Sequence, residues 1–235
     1  MSFEPRNQYA FRPSYQRALP HIQPPGATLF VTFRLAGSIP QALLTQWLAE
    51  QHRAVAAAAR GRDEREKAQG VSKARRALFA RLEGRLDSAV SGPRWLKDAR
   101  VAALVAEGLR YRDGKVYDLE AYCVMPNHVH VVFTPRPITS HNLAKCATGV
   151  RPADAQYCSL SSIMHSLKLY TAIRGNRLLG RSGQFWEHES YDHVVRDENE
   201  LGRIIRYVLS NPVKAGLAAR WQDWLSSYSR YGAAE

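Results

Sequence analysis

Two histidines, His128 and His130, stand one residue apart in the segment HVHVVF, whose β-branched and aromatic residues predict a strand. Because successive side chains of a strand point to opposite faces, both imidazoles project from one face and Val129 from the other. Two imidazoles so placed can hold one divalent cation. A His-x-His pair also occurs without metal as a hydrogen-bonded or surface feature, so the spacing alone leaves both interpretations open.

A tyrosine and an asparagine share one face of the last predicted helix. The apolar stripe of that helix contains Leu201, Ile204, Ile205, Val208 and Leu209. At about 100° per residue, Tyr207 lies roughly 130° from the centre of the stripe. Asn211 follows one turn later on the same face, so a hydroxyl and an amide oxygen can approach one site. The alternative is an exposed tyrosine beside an ordinary Asn-Pro helix end.

The elements that must position these residues alternate between strand and helix patterns. Strands are predicted at 28–35, 115–124, 128–133 and 190–195, and the second and third form an antiparallel hairpin across Met125-Pro126-Asn127. Helices are predicted at about 40–59, 73–88 and 98–110, from about Ser159, and from Asp197 to just before Pro212. The charged stretch 60–76 is typical of an exposed helical arm or a linker.

This order predicts an α+β fold, a ferredoxin-like βαββαβ antiparallel sheet with helices. A C-terminal helix carrying Tyr207 follows the sheet. We expect one domain over residues 1–235, with an inserted basic helical segment at about 50–110. A second insertion, a loop, is expected at about 135–158, where Pro135, Pro137 and Pro152 interrupt any regular pattern.

The charge balance points to a polyanionic partner. The 235 residues carry 33 Lys and Arg against 21 Asp and Glu, a net charge of +12. Residues 51–100 alone hold 13 basic and 6 acidic residues. No apolar run is long enough to cross a bilayer and no secretory leader is evident, so a cytoplasmic protein without membrane contact is expected. Three cysteines without CxxC spacing are expected to be reduced thiols.

Four phrases together resemble one known family. These are AYCVMPNHVHVVF, LSSIMHSLKLYTA, GQFWEHESYDHVVRDENEL and RIIRYVLSNPVKAGL. In this order they are similar to the REP-associated tyrosine transposases (RAYT), single-tyrosine members of the HUH transposase and nuclease superfamily. The resemblance covers about residues 26–35 and 115–217, and leaves out 50–110 and 135–158.

The resemblance implies a metal-dependent single-strand DNA endonuclease and strand transferase. Its substrate would be hairpin-forming repetitive DNA, cut through a 5′-phosphotyrosine intermediate. By position, Tyr207 is the implied nucleophile, and His128, His130 and Asn211 are the implied ligands of Mg²⁺ or Mn²⁺. A phenol with an ordinary pKa near 10 is only about 0.1% ionised at neutral pH, so such a nucleophile needs assistance. The resemblance leaves both a monomer and a homodimer open.

Basic and aromatic residues between these motifs are candidates for contacts with DNA. Lys168, Arg174, Arg177 and Arg181 could bind phosphates, which set affinity and register without reading sequence. Phe185 and Trp186 could stack on unpaired bases, or one or both could belong to the core.

Two functions from other classes stay open at this point. A domesticated protein could bind such hairpins without moving them, and metal-dependent nicking of hairpin DNA would distinguish it from the enzyme. A zinc-dependent hydrolase using the His-x-His pair would need further ligands and would not need Tyr207.

Overall fold

The computed structural model describes residues 24–88, 92–140, 142 and 156–232 of the chain. Its strands are β1 (Leu29–Leu35), β2 (Tyr117–Val124), β3 (His128–Pro135), β4 (Trp186–Val194) and β5 (Ser227–Ser229). Its α-helices are α1 (Gln41–Ala58), α2 (Glu64–Ser88), α3 (Ala99–Arg112), α4 (Leu160–Leu178) and α5 (Glu198–Lys214). Among these helices, none is both long and apolar enough to span a bilayer.

The five strands form one antiparallel sheet in the order β4-β1-β3-β2-β5. With α3 between β1 and β2, and α4 between β3 and β4, the first four strands follow the predicted βαββαβ order. The predicted α+β class is therefore confirmed. The fifth strand was not predicted, because SYS at 227–229 is too short to show an alternating pattern.

The two faces of the sheet have different partners. Odd-numbered residues of β1 and β3, such as Val31 and Val131, pack with α3 and α4 in the main hydrophobic core. The other face carries Phe30 and Val132, which pack with side chains of α2 and α5. Since His128 and His130 have the even parity of Val132, both imidazoles face α2 and α5.

Helices α1 and α2 form an antiparallel hairpin with a small core of its own. Leu78, Leu82 and Leu86 of α2 are buried against apolar residues of α1, including Trp47. Of the charged stretch 60–76, predicted as an arm or linker, residues 64–76 form the first half of α2. Within the predicted insertion at about 50–110, α3 packs in the main core as the crossover helix of the sheet. The added layer is therefore the α1–α2 hairpin.

Helix α5 begins where the sequence predicts and ends later. The side chain of Asp197 accepts a hydrogen bond of 2.7 Å from the backbone N–H of Glu200, as expected for a capping box. The predicted end before Pro212 is wrong, because Pro212 lies inside the helix. Proline cannot donate to the carbonyl of Val208. The side-chain nitrogen Nδ2 of Asn211 lies 3.5 Å from that carbonyl and donates to the carbonyl of Tyr207 at 2.9 Å.

The C-terminal segment docks on β2 and adds the edge strand β5. The indole of Trp224 donates a 3.0 Å hydrogen bond to the carbonyl of Val124, and Tyr228 stacks on Tyr122. The predicted loop insertion at about 135–158 lies largely outside the described residues.

The prediction of reduced cysteines is confirmed at Cys123 and wrong at Cys158. Cys123 is a buried free thiol, whereas Cys158 is disulfide-bonded. An odd number of cysteines without CxxC spacing does not exclude a disulfide bridge, and this is why the count misled.

Candidate active site

The imidazoles of His128 and His130 meet on the face of the sheet that α2 and α5 cover. Both side chains are fully buried, and their Nε2 atoms are 2.9 Å apart. The pleat of β3 thus brings the two rings together, as the one-residue spacing predicts.

Each imidazole ring is oriented by a hydrogen bond at its Nδ1 atom. Nδ1 of His130 lies 2.8 Å from the hydroxyl oxygen of Thr32. Nδ1 of His128 lies 2.7 Å from Oδ1 of Asn127, whose Nδ2 donates to the backbone carbonyl of Leu86. Because that second bond fixes which way the amide points, Nδ1 of His128 carries the proton and its Nε2 offers a lone pair. Both rings therefore present Nε2 to the same point.

Burial keeps His128 in the form that binds metal. Removal from water lowers the pKa of His128 to about 3, with the neighbouring His130 lowering it further. The imidazole is consequently neutral across the physiological range, and a neutral imidazole is the ligand that divalent cations require.

Helix α2 brings a carboxylate to the two histidines. Oε2 of Glu83 lies 3.2 Å from Nε2 of His130 and accepts a hydrogen bond from the hydroxyl of Tyr207. One ligand atom each from Glu83, His128 and His130 lie within 4.8 Å of one another. Burial by itself would raise the pKa of Glu83, but the nearby histidines and the Tyr207 hydrogen bond bring it below its ordinary value. Glu83 is therefore a buried carboxylate.

Two buried oxygens of α2 beside this cluster, Oε1 of Glu83 and Oδ1 of Asp87, have no hydrogen-bond partner in the described structure. Oδ1 of Asn211, one turn after Tyr207 on α5, is likewise buried and unpaired. Oδ1 of Asp87 lies 3.9 Å from Nε2 of His128. Buried polar atoms are normally paired, so unpaired carboxylate oxygens beside two converging imidazoles fit a cation. A mixed set of imidazole, carboxylate and amide donors suits Mn²⁺ and also admits Mg²⁺.

Tyr207 is half-buried between the sheet and α2. Its ring makes edge contacts with Phe30, Phe79 and His130, with centroids 5.6 to 6.3 Å apart. Burial raises the pKa of Tyr207 well above its ordinary value, and the charge and hydrogen bond of Glu83 raise it further. The amide of Asn211 has a smaller, opposite effect on the pKa. In this arrangement the phenol stays protonated.

Comparison with known proteins adds a relative in sequence. No family model matches the chain. A Haemophilus influenzae protein named "Putative REP-associated tyrosine transposase" is 28% identical over 115 residues, which cover 48% of this chain and 60% of that protein. The chain thus resembles a REP-associated tyrosine transposase in sequence. The match thus spans less than two thirds of the relative's length.

A solved REP-associated tyrosine transposase bound to a REP hairpin is also similar to this chain. The likeness covers 92% of this chain and 82% of that one, with 16% identity and a TM-score of 0.44. A likeness at this level is too weak to carry an argument about function.

The basic residues predicted to contact DNA lie apart from the histidines. All of them belong to α4 or to the segment that follows it, and α4 packs on the opposite face of the sheet. Nζ of Lys168 donates to the carbonyls of Glu187 and His188 and to the hydroxyl of Ser190. Arg181 lies over the ring of Trp95 at 3.5 Å. These two side chains hold the start of β4 and the end of α4.

Two further arginines of the same group reach solvent. Arg174 lies 4.7 Å from the centroid of Tyr170, and both Arg174 and Arg177 are exposed. These two arginines therefore lie on the face of the sheet opposite to Tyr207.

The aromatic pair predicted to stack on bases is part of the core. Phe185 and Trp186 are only 2% and 5% exposed. The indole of Trp186 donates a 2.9 Å hydrogen bond to the hydroxyl of Thr171, and its ring packs against Phe33. Neither ring offers a free face to a base in this structure.

Sequence reasoning missed Glu83 and Lys214. Glu83 lies at the border of the apolar stripe formed by Leu78, Leu82 and Leu86, and a carboxylate in that place was a usable signal. Lys214 extends from the last turn of α5, with Nζ 5.1 Å from the centroid of the Tyr207 ring. No motif marked it, since a lysine at a helix C-terminus is common.

Proposed function

We propose that this protein is a metal-dependent single-strand DNA endonuclease and strand transferase that acts on hairpin-forming DNA through a 5′-phosphotyrosine. One observation carries the proposal. Oε2 of Glu83 contacts both Nε2 of His130 and the hydroxyl of Tyr207. The nucleophile and the metal-binding imidazoles therefore converge on one point, as a phosphoryl transfer assisted by a metal requires.

The metal centre of this proposal consists of His128, His130 and Asn211, with Mg²⁺ or Mn²⁺ as the ion. When bound, the cation would polarise the scissile phosphate and offset charge that develops in the transition state. The unpaired Oδ1 of Asn211 supports its inclusion. Thr32 and Asn127 would orient the two imidazoles through their Nδ1 atoms.

The chemical step assigned to Tyr207 conserves bonds and protons. Its phenolic oxygen forms a bond to the phosphorus while the bond from phosphorus to the 3′-oxygen breaks. The hydroxyl proton that Tyr207 gives up is balanced by the proton that the departing 3′-hydroxyl takes up. Because the tyrosyl ester retains the energy of the broken bond, the reverse reaction rejoins a strand without a nucleotide cofactor.

DNA is the proposed partner, and the charge near the nucleophile supports this choice. Lys214 lies next to the Tyr207 ring and is exposed, so it can reach a phosphate beside the scissile one. Arg174 and Arg177 are proposed to contact a more distant part of the hairpin. A cytoplasmic location, where such DNA is found, belongs to the same proposal.

Covalent capture of labelled DNA tests the proposal. The probe is a set of hairpin oligonucleotides with randomised single-stranded flanks and a label on the 3′ side of the flank. With Mn²⁺, the wild-type protein should form a labelled adduct that survives denaturing electrophoresis, and EDTA should prevent it. Tyr207→Phe should form none, whereas Tyr111→Phe, an exposed tyrosine on α3, should behave as wild type.

The alternative, a protein that binds hairpins without cutting them, predicts another result. It would retain the same oligonucleotides in a gel-shift assay with and without EDTA, and would leave no nick or adduct. An adduct formed by Tyr207→Phe would show that another residue is the nucleophile.

A further inference from the structure

Glu83 reaches the site from outside the sheet that carries the histidines. It belongs to α2, in the added α1–α2 hairpin, yet its side chain is only 6% exposed and ends between His130 and Tyr207. A buried carboxylate is costly unless its charge is compensated. The position of Glu83 therefore calls for a partner with positive charge.

The contacts of this carboxylate are unevenly distributed. Oε2 serves both Nε2 of His130 and the hydroxyl of Tyr207, while Oε1 has no hydrogen-bond partner. One turn along α2, Oδ1 of Asp87 is likewise buried and unpaired. The side of the cluster facing α2 thus has two spare acceptor oxygens.

The hydrogen bond between Glu83 and Tyr207 works against the proposed chemistry. A carboxylate next to a phenol disfavours the phenolate, whereas a nucleophile must give up its proton. The Tyr207 hydroxyl points its proton, and not one of its oxygen lone pairs, at the carboxylate of Glu83. The contact therefore suits a resting state without metal.

We propose that Glu83 exchanges partners: without metal it accepts the hydrogen bond of Tyr207, and with a divalent cation it becomes a ligand and releases the hydroxyl. This inference rests on the proposed metal site at His128 and His130. It makes the α1–α2 hairpin part of the catalytic centre, because that hairpin delivers a carboxylate that the sheet and α5 do not supply. It also links loading of the ion to release of the nucleophile.

Binding of Mn²⁺ tests the ligand half of the proposal. Free Mn²⁺ can be followed by electron paramagnetic resonance during titration of the full chain, without DNA. Glu83→Gln, which keeps the shape and can still accept from Tyr207, should lower the affinity at least about tenfold. Glu64→Gln is the matched control, because Glu64 is an exposed carboxylate on the same helix. Binding by Glu83→Gln equal to wild type would overturn the proposal.

Tyr207→Phe tests whether the Tyr207 hydroxyl competes with the metal for Glu83. Without a hydroxyl to displace, the phenylalanine variant should bind Mn²⁺ more tightly, by about tenfold for a hydrogen bond to a charged group. In the Glu83→Gln background the same substitution should leave the affinity unchanged. An equal effect of Tyr207→Phe in both backgrounds, or no effect in either, would contradict the exchange. Thermal unfolding of each variant establishes that it is folded.

His130→Ala distinguishes a failure of this inference from a failure of the proposed metal centre on which it rests. If His130→Ala binds Mn²⁺ as well as wild type, the metal centre itself is refuted. If His130→Ala loses the ion while Glu83→Gln keeps it, the centre stands and the partner exchange is wrong.

Discussion

The hydroxyl oxygen of Thr32 on β1 lies 2.8 Å from Nδ1 of His130 on β3, across the antiparallel pair that joins the two strands. A side chain of one strand thus sets the ring orientation of a histidine on its neighbour. This relationship depends on register, since a shift of one residue would turn Thr32 to the opposite face of the sheet.

Replacement of Thr32 by valine should weaken metal binding. The valine keeps the shape but removes the hydroxyl, so the His130 ring loses its orienting bond. Loss of such a partner typically costs about 10- to 100-fold in metal affinity. Thr28→Val, at the residue just before β1, is the control, because the hydroxyl of Thr28 bonds that of Thr134. Equal Mn²⁺ affinities for the two variants would show that Thr32 does not orient a ligand.

Asn211→Ala should also lower the affinity for Mn²⁺, by about tenfold. The physical reason is the loss of a buried oxygen, Oδ1, that has no other partner. Asn199→Ala removes an exposed amide from the first turn of the same helix and should leave the titration unchanged. If Asn211→Ala binds Mn²⁺ like wild type, Asn211 is not a metal ligand, and its amide only forms hydrogen bonds near the end of α5.

Two glycines of α2 should respond oppositely to alanine. A Cβ on Gly70 would lie 2.6 Å from the Cβ of Ala58, so the two helices of the hairpin would have to move apart. A Cβ on Gly84 would meet nothing within 4 Å. Helix propensity alone favours alanine over glycine by about 1 kcal/mol. Gly84→Ala should therefore raise the free energy of unfolding in urea, and Gly70→Ala should lower it.

An increase in stability for both variants would show that α1 and α2 do not approach each other as closely as described. Far-ultraviolet circular dichroism gives the check that both variants retain their helices.

Acidification should destabilise the metal-free protein through His128. Its pKa is near 6.5 when unfolded and about 3 when folded, so the unfolded chain takes up the proton first. Stability from the neutral ring is complete above about pH 6.5 and is lost progressively as the pH falls towards 3. Between pH 7.5 and 5.5 the loss amounts to about 1.4 kcal/mol. Urea unfolding in EDTA at these two pH values measures it.

His128→Gln should lose correspondingly less stability than wild type between the two pH values. His165→Gln, at an exposed position on α4, should lose as much as wild type. Parallel pH profiles for His128→Gln and wild type would show that the buried ring does not titrate as described.

Salt dependence should show which face of the protein holds the DNA. Lys214→Ala should reduce the slope of log affinity against log salt by about one, because one phosphate contact is lost. The Arg174→Ala/Arg177→Ala double variant should reduce it by about two if the hairpin reaches the face of α4. Lys67→Ala, on the remote part of α2, is the control. An unchanged slope for Lys214→Ala would remove this lysine from the DNA interface.

The sequence was most informative where a local pattern decides the structure. The alternation in HVHVVF placed His128 and His130 together on one face, and Asp197 with Glu200 marked the start of α5. The order of strands and helices was sufficient for the sheet class. Each of these predictions depends on residues close in sequence, whose geometry follows from the period of one element.

The rest depends on contacts between distant parts of the chain. Glu83 is 45 residues from His128 in sequence, and only the fold of the α1–α2 hairpin brings them together. Pro212 lies inside α5, where its missing N–H leaves the carbonyl of Val208 with the side-chain amide of Asn211 3.5 Å away. Trp186 and Lys168 read as candidates for DNA, yet both are occupied by neighbours within the protein. Local composition cannot show which polar or aromatic side chains are already engaged.

The strand order has a consequence for synthesis of the chain. Among the described strands, β1 comes first in the chain and lies inside the sheet, while β4 and β5 come last and form its two edges. Until β4 and β5 are made, the outer hydrogen-bonding groups of β1 and β2 therefore stay uncovered, and an uncovered edge pairs readily with other chains. A protein chain truncated before residues 227–229 would lack β5, and the outer edge of β2 would stay unpaired. Such products should aggregate, even though every residue of the candidate active site is present in them.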